Sequence, residues 1–184
     1  MRANWFVGMP VTGGDWLDAL LSDAPSSLRR FHPDDLHLTV AFLGGCGAER
    51  AKAAFATATD HPLAAFRVEL DRLAPMGNPR RPSALSLLVS GGHDEAVAII
   101  ESLRPVMWSA AEAERDTRPA LPHVTVARPP RRATATERRV AVEWAERKPR
   151  LGEILTIDRL CLYTWSDDRR ARQFRVVDEI PFLA

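Results

Sequence analysis

Residues 37–41 read His-Leu-Thr-Val-Ala, and residues 123–127 read His-Val-Thr-Val-Ala. With five His and ten Thr in 184 residues, chance supplies roughly 0.3 His-x-Thr tripeptides to a chain of this make-up. Two occur, both run on into Val-Ala, and positions 37 and 123 lie about half a chain apart. An internal duplication folded into two similar lobes, within one domain spanning 1–184, accounts for this better than coincidence. In an extended strand, side chains alternate between the two faces. His37 and Thr39 then share one face while Leu38 and Val40 share the other. The same parity sets His123 and Thr125 against Val124 and Val126.

Two lobes related by a pseudo-two-fold axis would gather two imidazoles and two hydroxyls around one groove. That set suits phosphoryl chemistry: one imidazole takes a proton from an attacking oxygen while the other, protonated, gives one to the leaving oxygen. An unperturbed pKa of about 6.5 allows both forms near neutrality. The Thr39 and Thr125 hydroxyls are placed to bond the non-bridging oxygens, where charge spreads in the transition state. A zinc site needs three or four ligands, and each His-x-Thr offers one good one, so no metal or other cofactor is expected. His32, His61 and His93 stand beside Pro or Gly and read as surface loop residues.

Outward from the motifs, strands and helices interleave. Trp5–Met9 reads as a strand, Asp15–Leu21 as a helix capped by Asp15, Leu36–Leu43 as a strand ending at Gly44-Gly45, and Ala48–Thr59 as a helix. Phe66–Leu73 and Ser83–Val89 follow as strands around Pro75–Pro82, a loop by its local composition. Asp94–Ala113 has helical periodicity with a break or kink near Pro105, and His123–Ala127 is the second motif strand. Thr134 or Thr136 caps a helix through Glu146. Ile154–Thr164 and Ala171–Val177 form a hairpin through Ser166–Arg169. The sum is an α+β fold with antiparallel pairing. Val11-Thr12-Gly13-Gly14 has neither the dinucleotide-binding nor the P-loop spacing.

Composition sets the outer bounds. Hydrophobic residues make 46% and charged residues 27%, enough apolar material for a core in a soluble globular chain. The net charge of +1 argues against coating nucleic acid by charge alone, and leaves room for a small site that grips one or two phosphates. Of the basic residues only Lys52 and Lys148 are not Arg. Cys46 and Cys161 are too few for a disulfide framework and are expected as buried thiols. No apolar run reaches the roughly 18–20 residues of a membrane span, and no signal peptide is read. The expected location is the cytoplasm.

The stretches Pro33–Gly44 (PDDLHLTVAFLG) and Leu121–Arg128 (LPHVTVAR) resemble the two-histidine (2H) phosphoesterases, in particular the RNA 2′,3′-cyclic phosphodiesterase or 2′–5′ RNA ligase family. Trp5–Pro10 and Ile157–Tyr163 extend the likeness over nearly the whole chain. The resemblance implies two pseudo-symmetric lobes, each an antiparallel sheet with helices on its outer face, around a central groove. It implies a proton-transfer pair in His37 and His123, phosphate binding by Thr39 and Thr125, a base-stacking aromatic in Phe42, and a nucleobase or phosphate contact in Arg128. His37 is set as acid to the 3′ oxygen and His123 as the group activating water, with the reverse assignment left open. The implied reaction converts RNA 2′,3′-cyclic phosphate ends to 2′-phosphates without a metal, or joins such ends to 5′-hydroxyl RNA by a 2′–5′ bond; a noncatalytic RNA-end binding module is the third reading. The expected partner is an RNA 3′ end, with the protein a monomer. Phe42 and Arg128 each stand five positions after their histidine, an odd offset that turns them from the groove unless the strands bulge or end first. Arg80-Arg81 and Arg128–Arg132 are expected to extend the RNA contact, whereas Arg138-Arg139 and Arg169-Arg170 read as solvated charge.

Overall fold

The computed structural model describes residues 3–78 and 81–183; Arg80 lies outside them. The first motif sits in a run of β1 (Trp5–Pro10), α1 (Asp15–Leu21), β2 (Arg29–Arg30), β3 (His37–Gly44) and α2 (Ala48–Ala56). A hairpin of β4 (Phe66–Asn78) and β5 (Arg81–Val89) leads to α3 (His93–Ala111), β6 (His123–Arg128) and α4 (Ala135–Glu146). The chain closes with β7 (Glu153–Ile157), β8 (Arg159–Trp165) and β9 (Phe174–Pro181). Strand–helix–strand–helix therefore occurs twice, as β1-α1-β3-α2 and β5-α3-β6-α4, with a His-x-Thr opening the second strand each time.

Among the described residues the strands form one antiparallel sheet in the order β7-β4-β5-β6-β3-β1-β8-β9, with β2 on β6. The motif strands β3 and β6 are central neighbours, joined at Leu38 and Val124. Outward from this seam, β1 matches β5, β8 matches β4, and β9 matches β7. One helix crosses between lobes: α3 leaves β5 to pack on β3 and α2, while α4 covers β4 and β5 of its own lobe. Trp144 of α4 donates from Nε1 to the Asp23 carboxylate just beyond α1 (3.0 Å).

The single stretch expected from Ile154 to Thr164 is two strands, broken at Asp158. β7 pairs with β4 and β8 pairs with β1, so one residue links opposite ends of the sheet order. That link forces the sheet to curl, and the segment after β9 tightens it: Phe182 N–H donates to the Asp158 carbonyl (2.7 Å) and Leu183 N–H to that of Leu63 (2.7 Å).

Of the stretch read as a loop, Pro75–Asn78 and Arg81–Pro82 are strand. They are paired across β4 and β5. β7 covers β4 only over Phe66–Leu70, and β6 covers β5 only over Leu85–Leu88. Pro75 and Pro82 thus lie on free edges, where a missing N–H costs no ladder bond. α3 continues across Pro105, and His93 is its first residue rather than part of a loop. The cap of α1 is Gly14, not Asp15. α4 has the expected cap, a box in which Thr134 accepts from the Glu137 N–H (3.2 Å) while the Glu137 carboxylate accepts from the Thr134 N–H (2.7 Å). Gly92 precedes α3 with φ +71°, where a Cβ would fall 2.0 Å from the Arg67 carbonyl oxygen, so only glycine fits that approach.

The core fills the space between sheet and helices. Leu38, Val40, Val124 and Val126 are buried, as the alternation of the motifs requires. Arg138, expected in solvent, is also buried: its guanidinium donates to the carbonyls of Pro82 (2.8 Å), Pro130 (3.3 Å) and Arg131 (3.2 Å). Cys161 is buried and Cys46 half-buried.

Candidate active site

His37 opens β3 directly after a single 3-10 turn, Pro33–Asp35. Its Nδ1 lies 2.7 Å from the Asp35 carbonyl, two residues back. His123 opens β6 with its Nδ1 2.7 Å from the Leu121 carbonyl, also two residues back. A carbonyl only accepts, so each Nδ1 carries the proton and each Nε2 is left to exchange one with a ligand. The duplication thus repeats the ring's tautomer as well as its position.

All six residues picked from the sequence (His37, Thr39, Phe42, His123, Thr125 and Arg128) line one cavity of about 350 Å³. The odd offset of Phe42 is absorbed by the register. On β1, Val7 faces Ala41 but Gly8 faces Thr39, so Val40 is an extra residue in β3. On β5, Leu85 faces Ala127 but Ser86 faces Thr125, so Val126 is the extra residue in β6. Each bulge flips the parity of the residues after it. Phe42, 52% exposed, and Arg128 consequently return to the side of their histidines.

The two halves of the site differ in their surroundings. His37 lies in an aromatic nest, its ring centroid 4.6 Å from Phe6, 5.4 Å from Tyr163 and 5.6 Å from Phe174. Phe6 and Tyr163 stack behind it at 4.8 Å. Burial in this nest, seconded by the positive charge of Arg128 and His123, pushes the His37 imidazole down to about 4 against the opposing pull of the Asp35 carbonyl. At neutral pH it is uncharged. Tyr163, buried, has its phenol pushed up from the ordinary value and stays protonated. Thr125 Oγ1 is held 3.0 Å from the buried Ser86 Oγ.

Several residues of the site carry no motif signal. Asp35 is 1% exposed; its carboxylate accepts from the N–H groups of Gln173 (2.7 Å) and Phe174 (3.0 Å). One residue therefore holds His37 through its carbonyl and the aromatic wall through its side chain. Gly8 of β1 lies under His37, where a Cβ would come 3.0 Å from the Leu38 carbonyl oxygen and 3.3 Å from His37 Cδ2. Arg169 is exposed, as expected, and also stacks on Trp165 at 4.3 Å and lines the cavity. The backbone carbonyl of Arg169 accepts from Arg29 (3.0 Å), which fixes the turn it sits on. Only the folded β8–β9 turn brings that side chain over Trp165.

Arg128 lies over the Phe31 ring at 5.2 Å. Burial and the neighbouring Arg29 lower its pKa from the ordinary value, yet a guanidinium stays charged at neutral pH. It has no hydrogen-bond partner among the described residues, so its donors are available to a ligand. Among those residues no three His, Cys, Asp or Glu side chains group as a metal-ligand set, and no helix is long and apolar enough to cross a membrane.

A curled antiparallel sheet carrying two symmetry-related His-x-Thr strands on its concave face is the architecture of the 2H phosphoesterases. A family model of the 2′-5′ RNA ligase superfamily matches residues 18–169, and the chain belongs to that superfamily. Solved structures agree in fold. E. coli LigT in complex with 3′-AMP superposes with a TM-score of 0.74 at 20% identity, covering 100% of both chains. TT0787 of Thermus thermophilus gives 0.72 at 19%, covering 97% of each. Usb1 of Kluyveromyces marxianus gives 0.54 at 12%, covering 98% of each. No curated protein sequence is significantly similar to the chain.

Proposed function

We propose that the protein hydrolyses RNA 2′,3′-cyclic phosphate ends to 2′-phosphates by metal-independent acid–base catalysis. The observation that carries this is the matched pair of imidazoles, each locked with Nδ1–H on a carbonyl and sharing one cavity with two Thr hydroxyls. A phosphate seated there meets the Thr39 and Thr125 hydroxyls at its non-bridging oxygens, with Arg128 as the nearby cation. Water attacks phosphorus as a neutral imidazole takes its proton. The bond from phosphorus to O3′ breaks, and the protonated imidazole gives O3′ its proton, leaving a 2′-phosphate and a 3′-hydroxyl. Phe42 offers an exposed ring for the terminal base.

His37 enters this cycle as the free base, because burial keeps it neutral. The acid role set for it from the sequence requires a bound phosphate anion to draw its pKa up.

The same groups serve ligation when the 5′-hydroxyl of a second RNA replaces water, with O3′ again leaving and a 2′–5′ phosphodiester formed. The superfamily name and the likeness to LigT favour keeping this reading. A noncatalytic RNA-end module needs phosphate donors but no matched acid and base, so the paired histidines argue against it. The proposal has the chain working as a monomer in the cytoplasm, a reducing compartment that suits its two free thiols. Product analysis on a cyclic-phosphate oligonucleotide tests it: a 2′-phosphate is expected, and a 3′-phosphate or no turnover would overturn it.

A further inference from the structure

The catalytic cavity opens, across Thr39, Phe42 and His123, into a second cavity of about 880 Å³. The 350 Å³ arm is near the lower end of small-ligand sites, suited to one nucleoside and its phosphate. The larger arm lies between the C-terminal half of α3, β4 and the segment 112–121. Its apolar side carries Phe42 and Leu121, which are 52% and 49% exposed, with Met76 beyond them. Facing these are the guanidiniums of Arg104, Arg115 and Arg118 and the carboxylates of Glu114 and Asp116. Asp116 is occupied by Arg118, which it holds at 2.5 Å. Arg104 stacks on Trp108 at 5.4 Å and donates to the Arg118 carbonyl (3.0 Å), bracing the segment. Arg115 is exposed and has no partner among the described residues.

We infer that this larger arm is a subsite for the nucleotides preceding the terminal one, so that the substrate is a single-stranded oligonucleotide rather than a mononucleotide. Exposed apolar faces beside guanidiniums are what unstacked bases and their phosphates require. The terminal nucleotide fills the small arm, and the strand leaves past Phe42 along Leu121, with Arg115 on its backbone. This extends the cyclic-phosphate reading and rests on it.

The test compares a cytidine 2′,3′-cyclic phosphate mononucleotide with a trinucleotide of the same end, using the wild type and Arg115→Glu. Wild type is expected to show a kcat/KM at least about tenfold higher on the trinucleotide. Arg115→Glu should lose most of that advantage and keep the mononucleotide rate within about twofold. Equal kcat/KM for the two substrates in the wild type, or an undiminished preference in the variant, overturns the subsite. If neither substrate turns over, the cyclic-phosphodiesterase reading fails instead. Binding of a fluorescent trinucleotide 2′-phosphate then still decides the subsite: weaker binding by Arg115→Glu supports it, and equal binding overturns it.

Discussion

The imidazole of His37 lies 4.6 Å from the ring of Phe6, centroid to centroid, so the proposed proton-transfer group is built into the edge of an apolar cluster. Its pKa of about 4 makes a direct prediction. In a histidine NMR titration of the free protein, His37 remains neutral to about pH 4, and a bound nucleotide 2′-phosphate moves its midpoint upward. A His37 midpoint near 6.5 in the free protein would contradict the role given to the aromatic nest.

The same shift acts on stability. Between the ordinary value near 6.5 and about 4, the unfolded chain binds a proton at this position that the folded chain refuses. The contribution of neutral His37 is therefore complete above about pH 6.5 and is lost as pH falls toward 4. Urea unfolding at pH 7 and pH 5 should show the wild type losing about 1–2 kcal/mol more than His37→Asn. Equal losses would show that the group titrates normally.

Asp35 ties the 3-10 turn before β3 to the start of β9 through its carboxylate. Asp35→Ala leaves the buried N–H of Gln173 and that of Phe174 without their acceptor, and should cost about 3 kcal/mol in urea unfolding. Asp35→Asn keeps one acceptor oxygen and should cost roughly half as much. Loosening of the Phe174 wall should also bring the His37 titration back toward 6.5.

Phe42 is more than half exposed, so Phe42→Ala should leave the melting temperature within about 2 °C. On nucleotide substrates its KM should rise about tenfold, the order expected for one lost base stack. An unchanged KM would return Phe42 to a purely structural role.

Gly8 allows β1 to pass under His37. Gly8→Ala must push apart β1 and β3 by a few tenths of an ångström, and should lower kcat about tenfold or more through the displaced imidazole. Because the Thr125 side and Phe42 are untouched, KM should change little.

The repeat made much of this legible. The two His-x-Thr strands, their inward faces and the α+β class follow from spacing and alternation. Phe42 and Arg128 came from family resemblance against the parity of an unbroken strand; the bulges at Val40 and Val126 that reconcile them leave no local mark, since Val-Ala is ordinary strand sequence. Asp35, Gly8 and Arg169 act through partners up to about 140 positions away, beyond any local pattern. Arg138 and Arg169 each stand in an Arg pair, and only packing decides that Arg138 is buried and that the exposed Arg169 lies over Trp165. Pro75–Pro82 misleads because proline marks loops on average, while here the strand edges are free. The break at Asp158 is equally silent, although it links β7 to β8 and curls the sheet.

That His37 and His123 exchange protons with a cyclic phosphate unaided by metal is tested most directly by turnover in excess EDTA. The substrate is an RNA 2′,3′-cyclic phosphate, and the proteins are the wild type, His37→Ala and His123→Ala, each confirmed folded. The wild-type rate should be unaffected by the chelator, and each substitution should lower kcat by about 10²–10⁴. Wild-type rates in either variant, or a wild-type activity abolished by EDTA and restored by a divalent metal, would contradict it.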